Sequence, residues 1–210
     1  MKVVAINGSP RPKGNTWIAL KTVGEVLSRE GIDFEILQIG NKNIHGCIAC
    51  GQCAKNQDGK CGILNDDLNR FLPDIQAADG VILGSPVYYS GIAGTMKCFL
   101  DRLFYVSGAN GNRMRHKIGA AVVAVRRSGG SMTLDSLNHY LTISEMIVPS
   151  SNYWNIIHGR LEGEALQDAE GIQIMQALGS NMTWLLKLKQ SGTHIQVPAQ
   201  EKKIQTNFIR

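Results

Sequence analysis

The 210 residues carry 22 Lys and Arg against 17 Asp and Glu, a formal net charge of +5, with 43% hydrophobic and 19% charged residues. That balance excludes wholesale disorder, and a chain of this length buries about 70% of its unfolded surface without disulfide staples. The longest apolar-plus-glycine run, Ile118 to Val125, is far short of the ~20 residues of a membrane span, and the amino terminus lacks a secretory leader's apolar core, so no membrane crossing and a cytoplasmic setting are expected.

Val3 to Ile6 is a short apolar run stopped by Asn-Gly, as in a buried strand entering a turn. After the turn Asn7 to Thr16 (NGSPRPKGNT), Asn15 or Thr16 is placed to cap a helix with Ala19, Val23, Val26 and Leu27 on one face, ended by Gly31. Phe34 to Ile39 reads as a second strand, completing a β-α-β unit. Residues 40–65 show neither strand nor helix period and hold four of the five cysteines, Cys47, Cys50, Cys53 and Cys61, spaced C-x2-C-x2-C-x7-C. A loop of this length inside a compact domain is usually functional.

Asp66-Asp67 opens a helix with Leu68, Phe71, Leu72 and Ile75 on one face. Gly80 to Leu83 is a buried strand leading into GSPVYYSG, and Ala93 to Val106 a helix with Met96, Phe99, Leu100 and Leu103 inward and Lys97, Asp101 and Arg102 outward. Cys98, on that helix and away from the cysteine loop, reads as core packing. Ile118 to Val125 has the unbroken apolar character of a central parallel strand and runs into RRSGG. Met132 to Thr142 reads as a helix, Met146 to Pro149 as a short strand and Asp168 to Lys189 as a long helix. Residues 1–190 then form one domain, and 191–210 a polar arm that is mobile or packs on another subunit.

Alternating strands and helices predict an α/β sheet of five parallel strands, with ligands bound beyond the strands' carboxyl ends. The loops Asn7 to Gly14, Ser85 to Gly91 and Arg126 to Gly130 leave those ends and should converge. The first lacks G-x-x-x-x-G-K-[ST] and G-x-G-x-x-G, yet Ser9, Arg11, Asn15 and Thr16 at a helix amino terminus suit a terminal monophosphate. An ordinary capped turn is the alternative. In the second loop Pro86, Tyr88 and Tyr89 beside glycine suit a flat ring, or are simply core-edge residues. The basic residues are scattered apart from Arg113 to Lys117, Arg126-Arg127 and Lys202-Lys203; without a nucleic-acid recognition motif, the charge suits an anionic cofactor rather than nucleic acid.

GSPRPKGNT, the cysteine loop and GSPVYYSGIAGTMKCFLDR together resemble the NADPH-dependent FMN reductase family, and the cysteine loop is similar to that of its iron-sulfur flavoprotein branch. The resemblance covers about residues 1–150. It implies a flavodoxin-like three-layer sandwich of strand order 2-1-3-4-5, and FMN held at its phosphate by Ser9, Arg11, Asn15 and Thr16. It further implies that Pro86, Val87, Tyr88, Tyr89, Ser90 and Gly91 line the ribityl chain and ring, with Arg126, Ser128, Gly129 and Gly130 in the loop that closes over it. Relatives often carry extra glycines ahead of that loop, where this chain has Val125-Arg126-Arg127, so an arginine here is also placed for a nicotinamide nucleotide's phosphate. The implied partners are NAD(P)H or a ferredoxin-like electron donor, and a second copy in a dimer or tetramer.

The cysteine loop admits three readings. Cys47, Cys50, Cys53 and Cys61 as ligands of a [4Fe-4S] cluster is the one the resemblance favours; a structural zinc site, with His45 able to replace one sulfur, and free or oxidised thiols are the others. The functional expectation is an FMN-dependent electron-transfer oxidoreductase with a cluster. Its alternatives are an NAD(P)H-dependent FMN or quinone reductase without one, and a non-catalytic, zinc-stapled binding module.

Overall fold

A computed structural model describes residues 1–201, 203–206 and 208–209. β1 (Lys2–Asn7), α1 (Asn15–Arg29) and β2 (Asp33–Gln38) form the expected β-α-β unit, with β1 and β2 parallel. The α1 terminus is a Schellman turn: Gly31 sits at φ +76°, its N–H bonds the Ser28 carbonyl, and the Ile32 N–H bonds that of Leu27. At the other end the expected cap is absent, for Gly14 is the N-cap and no side chain caps the helix.

The cysteine region contains a short helix, α2 (Gln52–Asn56), which the absence of period concealed. It is followed by α3 (Leu68–Ala77), β3 (Gly80–Tyr88), the two-residue β4 (Gly91–Ile92), α4 (Gly94–Ala109), β5 (Ile118–Val125), α5 (Gly130–Ile143), β6 (Ile156–His158) and α6 (Ala169–Ser191). The parallel sheet runs β2-β1-β3-β5-β6, with β4 folded back antiparallel on the end of β3. Counting main strands only, this is the expected order 2-1-3-4-5.

Alternate strand residues serve two apolar layers. Val3, Ala5, Ile82, Ala120 and Val122 pack with α1 and α6, whereas Val4, Ile6, Val81, Leu83, Ala121 and Val123 pack with α3, α4 and α5.

The fifth strand lies elsewhere than expected. Met146 to Pro149 contributes one bridge, Ile147 to Ile118, and the ladder stops there because Pro149 has no N–H to continue it. The chain loops out through Tyr153 and Trp154, and the Asn155 amide bonds the Ala121 carbonyl at 3.0 Å before β6 resumes beside Val123.

Asp168 fastens the last helix to this late strand. Its carboxylate accepts the Gly171 N–H at 2.9 Å as the α6 N-cap, and the His158 N–H at 2.7 Å. Burial works to raise Asp168, but these N–H groups and the His158 ring hold it below the usual carboxylate range. The charged form is thus favoured by folding, so its contribution is present above the unfolded value of about 3.9 and is lost as pH falls through the lower folded value. Asp168→Ala is expected to cost about 1–2 kcal/mol in urea denaturation at neutral pH, with the gap to wild type closing below about pH 4. A gap that widens in acid would contradict this assignment.

Beyond α6 the arm is anchored within the chain, because Arg115 donates to the carbonyls of Pro198 at 2.9 Å and Ala199 at 3.3 Å. Lys202 of the basic tail pair, with Asn207 and Arg210 of the arm, lies outside the described residues. Among the described residues, no helix is long and apolar enough to cross a membrane.

Candidate functional site

The first turn is built around Asn7, a fully buried residue that sequence reasoning treated only as a strand stop. Its side chain donates to Gln38 Oε1 at 2.7 Å and to the Pro12 carbonyl at 3.2 Å, and accepts the Ser9 N–H at 3.1 Å. The Ser9 hydroxyl accepts the Arg11 N–H at 3.2 Å, which leaves its own proton available. Arg11 is exposed and among the described residues its side chain reaches only the Arg160 carbonyl, at 3.5 Å. Asn15 spends both ends of its amide on the chain after β6, donating to the Leu161 carbonyl at 2.9 Å and accepting the Ala165 N–H at 3.2 Å. Its backbone N–H and the second hydrogen of its amide nitrogen remain for a ligand.

Thr16 is the informative member of this turn. Its residue is 1% exposed, and its Oγ1 is one of three buried side-chain polar atoms without a partner among the described residues. A buried hydroxyl without a partner costs about 1–3 kcal/mol. It sits in the first turn of α1, where backbone N–H groups have no intrahelical partner and no acidic side chain competes for them.

The second loop is shorter than expected, since Ser85 to Tyr88 continue β3 and only Tyr89 and Ser90 turn, and it meets the third. Tyr89 and Ser90, at φ +50° and +57°, form the two-residue turn between β3 and β4, in which Tyr88 pairs with Gly91. Left-handed backbone at two non-glycine residues costs about 1–3 kcal/mol each and tends to mark functional sites. Against this turn lies Gly129, at φ +85°, where an added Cβ would stand 2.8 Å from Ser90 Cα. Pro86 and Val87 are half-buried, Gly130 is buried at the start of α5, and Arg126, Arg127 and Ser128 are exposed. A fourth loop, from Gly159 to Ala165, closes on the first, because a Cβ at Gly159 would be 2.6 Å from Asn15 Nδ2. Sequence reasoning missed it, having placed the fifth strand too early.

The four cysteines of the long loop line one pocket with Ile63, Arg102 and Tyr105. Cys53 and Cys61 are buried and Cys47 and Cys50 exposed. Among the described residues, no three His, Cys, Asp or Glu side chains gather closely enough to hold a single metal ion, an arrangement that a cluster with one sulfur on each iron does not require. Burial pushes the Cys53 thiol up, and the nearby Cys61 and Cys50 sulfurs push the same way. Cys98 is half-buried against the core, as expected, but is not remote: its Sγ lies 3.8 Å from where a Cβ on Gly46 would be.

Three side chains, from α3, from α4 and from the residue that ends α4, hold this loop. Asn69 bonds Cys61 through both its N–H and its carbonyl, at 2.8 and 2.9 Å, and Asn110 accepts the Gly59 N–H at 2.8 Å and donates to the Cys53 carbonyl at 3.3 Å. Arg102, expected to face outward, is 1% exposed and paired with Asp66, whose side chain is buried although its backbone is partly exposed. Burial works to raise Asp66, but Arg102 and the N–H groups of His45 and Leu68 hold it below the usual carboxylate range.

A family model described as NADPH-dependent FMN reductase matches residues 1–160. The chain belongs to this family. An iron-sulfur flavoprotein of Methanocaldococcus jannaschii is 34% identical over 195 residues, covering 90% of this chain and 98% of that protein. An iron-sulfur flavoprotein of Methanosarcina thermophila is 29% identical over 194 residues, covering 91% and 98%. Among solved structures, RosB with bound 8-demethyl-8-formylriboflavin-5'-phosphate matches with a TM-score of 0.73 at 15% identity, covering 100% of this chain and 94% of its own. Together with the sheet order, that likeness shows a flavodoxin-like fold.

For a member of the FMN reductase family, the fit of the residues to a flavin phosphate rests on Thr16, whose unpaired hydroxyl and neighbouring free N–H groups are what a phosphate monoester satisfies. The fit of the cysteine loop to an iron-sulfur group rests on its donor set, four sulfurs around one pocket with an N–H of Arg102 on one of them. Asn7, Gln38 and the fourth loop carried no recognisable motif, because their role is to hold neighbouring loops and depends on the register of β1 against β2.

Proposed function

We propose that this chain is an FMN-dependent electron-transfer oxidoreductase that binds FMN noncovalently across the four loops and an iron-sulfur cluster, of [4Fe-4S] type, in the cysteine loop. The observation that carries the flavin reading is the buried, unpartnered Thr16 hydroxyl at the amino terminus of α1. Ser9, Arg11, Thr16 and the backbone N–H of Asn15 hold the phosphate. Pro86 to Gly91 line the ribityl chain and ring, and Arg126 with Ser128 to Gly130 cover the ring edge. Cys47, Cys50, Cys53 and Cys61 are the cluster ligands. When bound, the flavin supplies two-electron exchange with NAD(P)H and the cluster one-electron exchange with a ferredoxin-like donor or an acceptor protein. The protein is read as cytoplasmic, where thiols stay reduced, and as a dimer or tetramer.

Thr16→Val separates a ligand role from a structural one. Removing an unsatisfied buried hydroxyl is expected to leave the flavin-free protein as stable as wild type or more so, while FMN affinity falls about tenfold. Urea denaturation of the flavin-free protein and titration of FMN by flavin fluorescence measure the two quantities. Wild type that takes up no FMN sinks the flavin reading.

A second reading, an NAD(P)H-dependent flavin or quinone reductase whose cysteines remain free thiols, takes the exposed Cys47 and Cys50 as thiols open to solvent. Turnover of NADPH with a quinone that is undiminished in Cys50→Ser and Cys53→Ser would support it over the first.

A further inference from the structure

Arg102 spends every donor it has on the cysteine loop and its closure. Nε donates to Cys61 Sγ at 3.3 Å, Nη1 to the His45 carbonyl at 3.0 Å and to Asp66, and Nη2 to the Ile63 carbonyl at 3.4 Å and to Asp66 at 3.2 Å. These are the five N–H groups of a guanidinium, each with its own acceptor. Asp66 returns the closure by accepting the His45 N–H at 3.0 Å and the Leu68 N–H at 3.2 Å. His45 precedes the first cysteine of the loop and Ile63 follows the last, so one side chain on α4 draws both ends together.

Both side chains of the pair are 0% exposed. Burying two charges carries a desolvation penalty that well-packed apolar residues avoid, so stability alone does not explain an ion pair here. Charge neutralisation by Asp66 also leaves the Nε donor unexplained. It points at sulfur, a weak acceptor unless the sulfur is a thiolate or a metal-bound thiolate.

We propose that Arg102 is the positioning residue of the cysteine loop and that its Nε–H bond to the Cys61 sulfur raises the reduction potential of the iron-sulfur group held there. The inference rests on the cluster reading given above. Reduction of a cluster by one electron adds one negative charge and breaks no bond, and cluster potentials respond to net charge and to hydrogen bonds on the sulfurs. With the Arg102 charge balanced by Asp66, the Nε–H on the ligand sulfur is the group that stands where that charge develops, and its hydrogen bond strengthens there, so it favours the reduced form. Lysine cannot replace it, because an ammonium has three donors on a flexible stem rather than a planar fork.

The test uses the full chain, reconstituted anaerobically with iron and sulfide, as wild type, as the double variant Arg102→Gln with Asp66→Asn, and as Arg102→Lys. The double variant leaves no unpaired buried charge and keeps polar groups of similar shape. It is expected to fold cooperatively and still take up iron, which a chelator removes several-fold faster than from wild type, while its reduction in a dithionite titration becomes about tenfold less favourable, a fall of about 60 mV for one electron. A merely structural role would leave the potential of the iron-loaded double variant at the wild-type value, and that result overturns the proposal. Arg102→Lys keeps the charge but loses the fork; it is expected to shift the potential less and to lose iron to a chelator several-fold faster than wild type. Should the double variant fail to fold, wild-type potential and wild-type iron retention in Arg102→Lys overturn the proposal instead. Wild type that takes up no iron overturns the cluster reading itself, and that result is distinguishable because no variant is involved.

Discussion

Asp66→Ala is expected to destabilise the protein by about 3–5 kcal/mol at neutral pH, because it strands the Arg102 guanidinium in a fully buried site. Two backbone donors, the N–H groups of His45 and Leu68, lose their acceptor at the same time. Urea denaturation of the metal-free, flavin-free protein reads the effect without interference from ligand binding. Pairing the change with Arg102→Met is expected to recover part of the loss, since removing both charges leaves no uncompensated ion. A single variant within about 1 kcal/mol of wild type would mean that water reaches Arg102 and that the pair does not close the loop.

Gly40→Ala carries the second large expectation, and it strikes the phosphate turn from behind. A Cβ at this position would lie 2.2 Å from the Ser9 carbonyl carbon and 2.3 Å from the Gly8 carbonyl oxygen. Both are backbone atoms, so no rotamer change relieves the overlap. The Gly40 N–H is bonded to the Asn7 carbonyl at 3.1 Å, and Gly8 is bonded to the Gly84 carbonyl at 2.8 Å, which limits retreat on either side. Overpacking of this kind costs about 1–3 kcal/mol. The turn carrying Ser9 must also shift, so FMN affinity is expected to drop by about tenfold or more, roughly 1.4 kcal/mol. Calorimetric titration of FMN checks this, and unchanged affinity would remove Gly40 from the account of the site.

The parts of the site legible in the sequence were those with a local signal. Asn7-Gly8 after an apolar run, the left-handed Gly31 and the unbroken run Ile118 to Val125 each announced their element, because strand burial and turn geometry act over a few residues. The interrupted fifth strand was not legible, since Met146 to Pro149 looks more strand-like than Ile156 to His158. What separates them is which segment reaches the open edge of β5 after Pro149 breaks the ladder. Arg102 was misjudged by its charge, although it shares a helix face with Phe99 and Val106, at i+3 and i+7, and that spacing pointed inward.

By itself the sequence determined the alternation of strands and helices and the turns after the first and fourth strands, because glycine turns and apolar periods are local patterns that survive without knowledge of contacts; the strand order came with the family resemblance that its motifs carry. Only the tertiary structure decided that Thr16 is buried without a partner, that Asn15 is occupied by the chain after β6, and that Arg102 and Asp66 close the cysteine loop from within. Each of those facts is a pairing, or the lack of one, between groups that meet only when the strands are in register and the helices packed. Residues 36 positions apart become one ion pair for that reason.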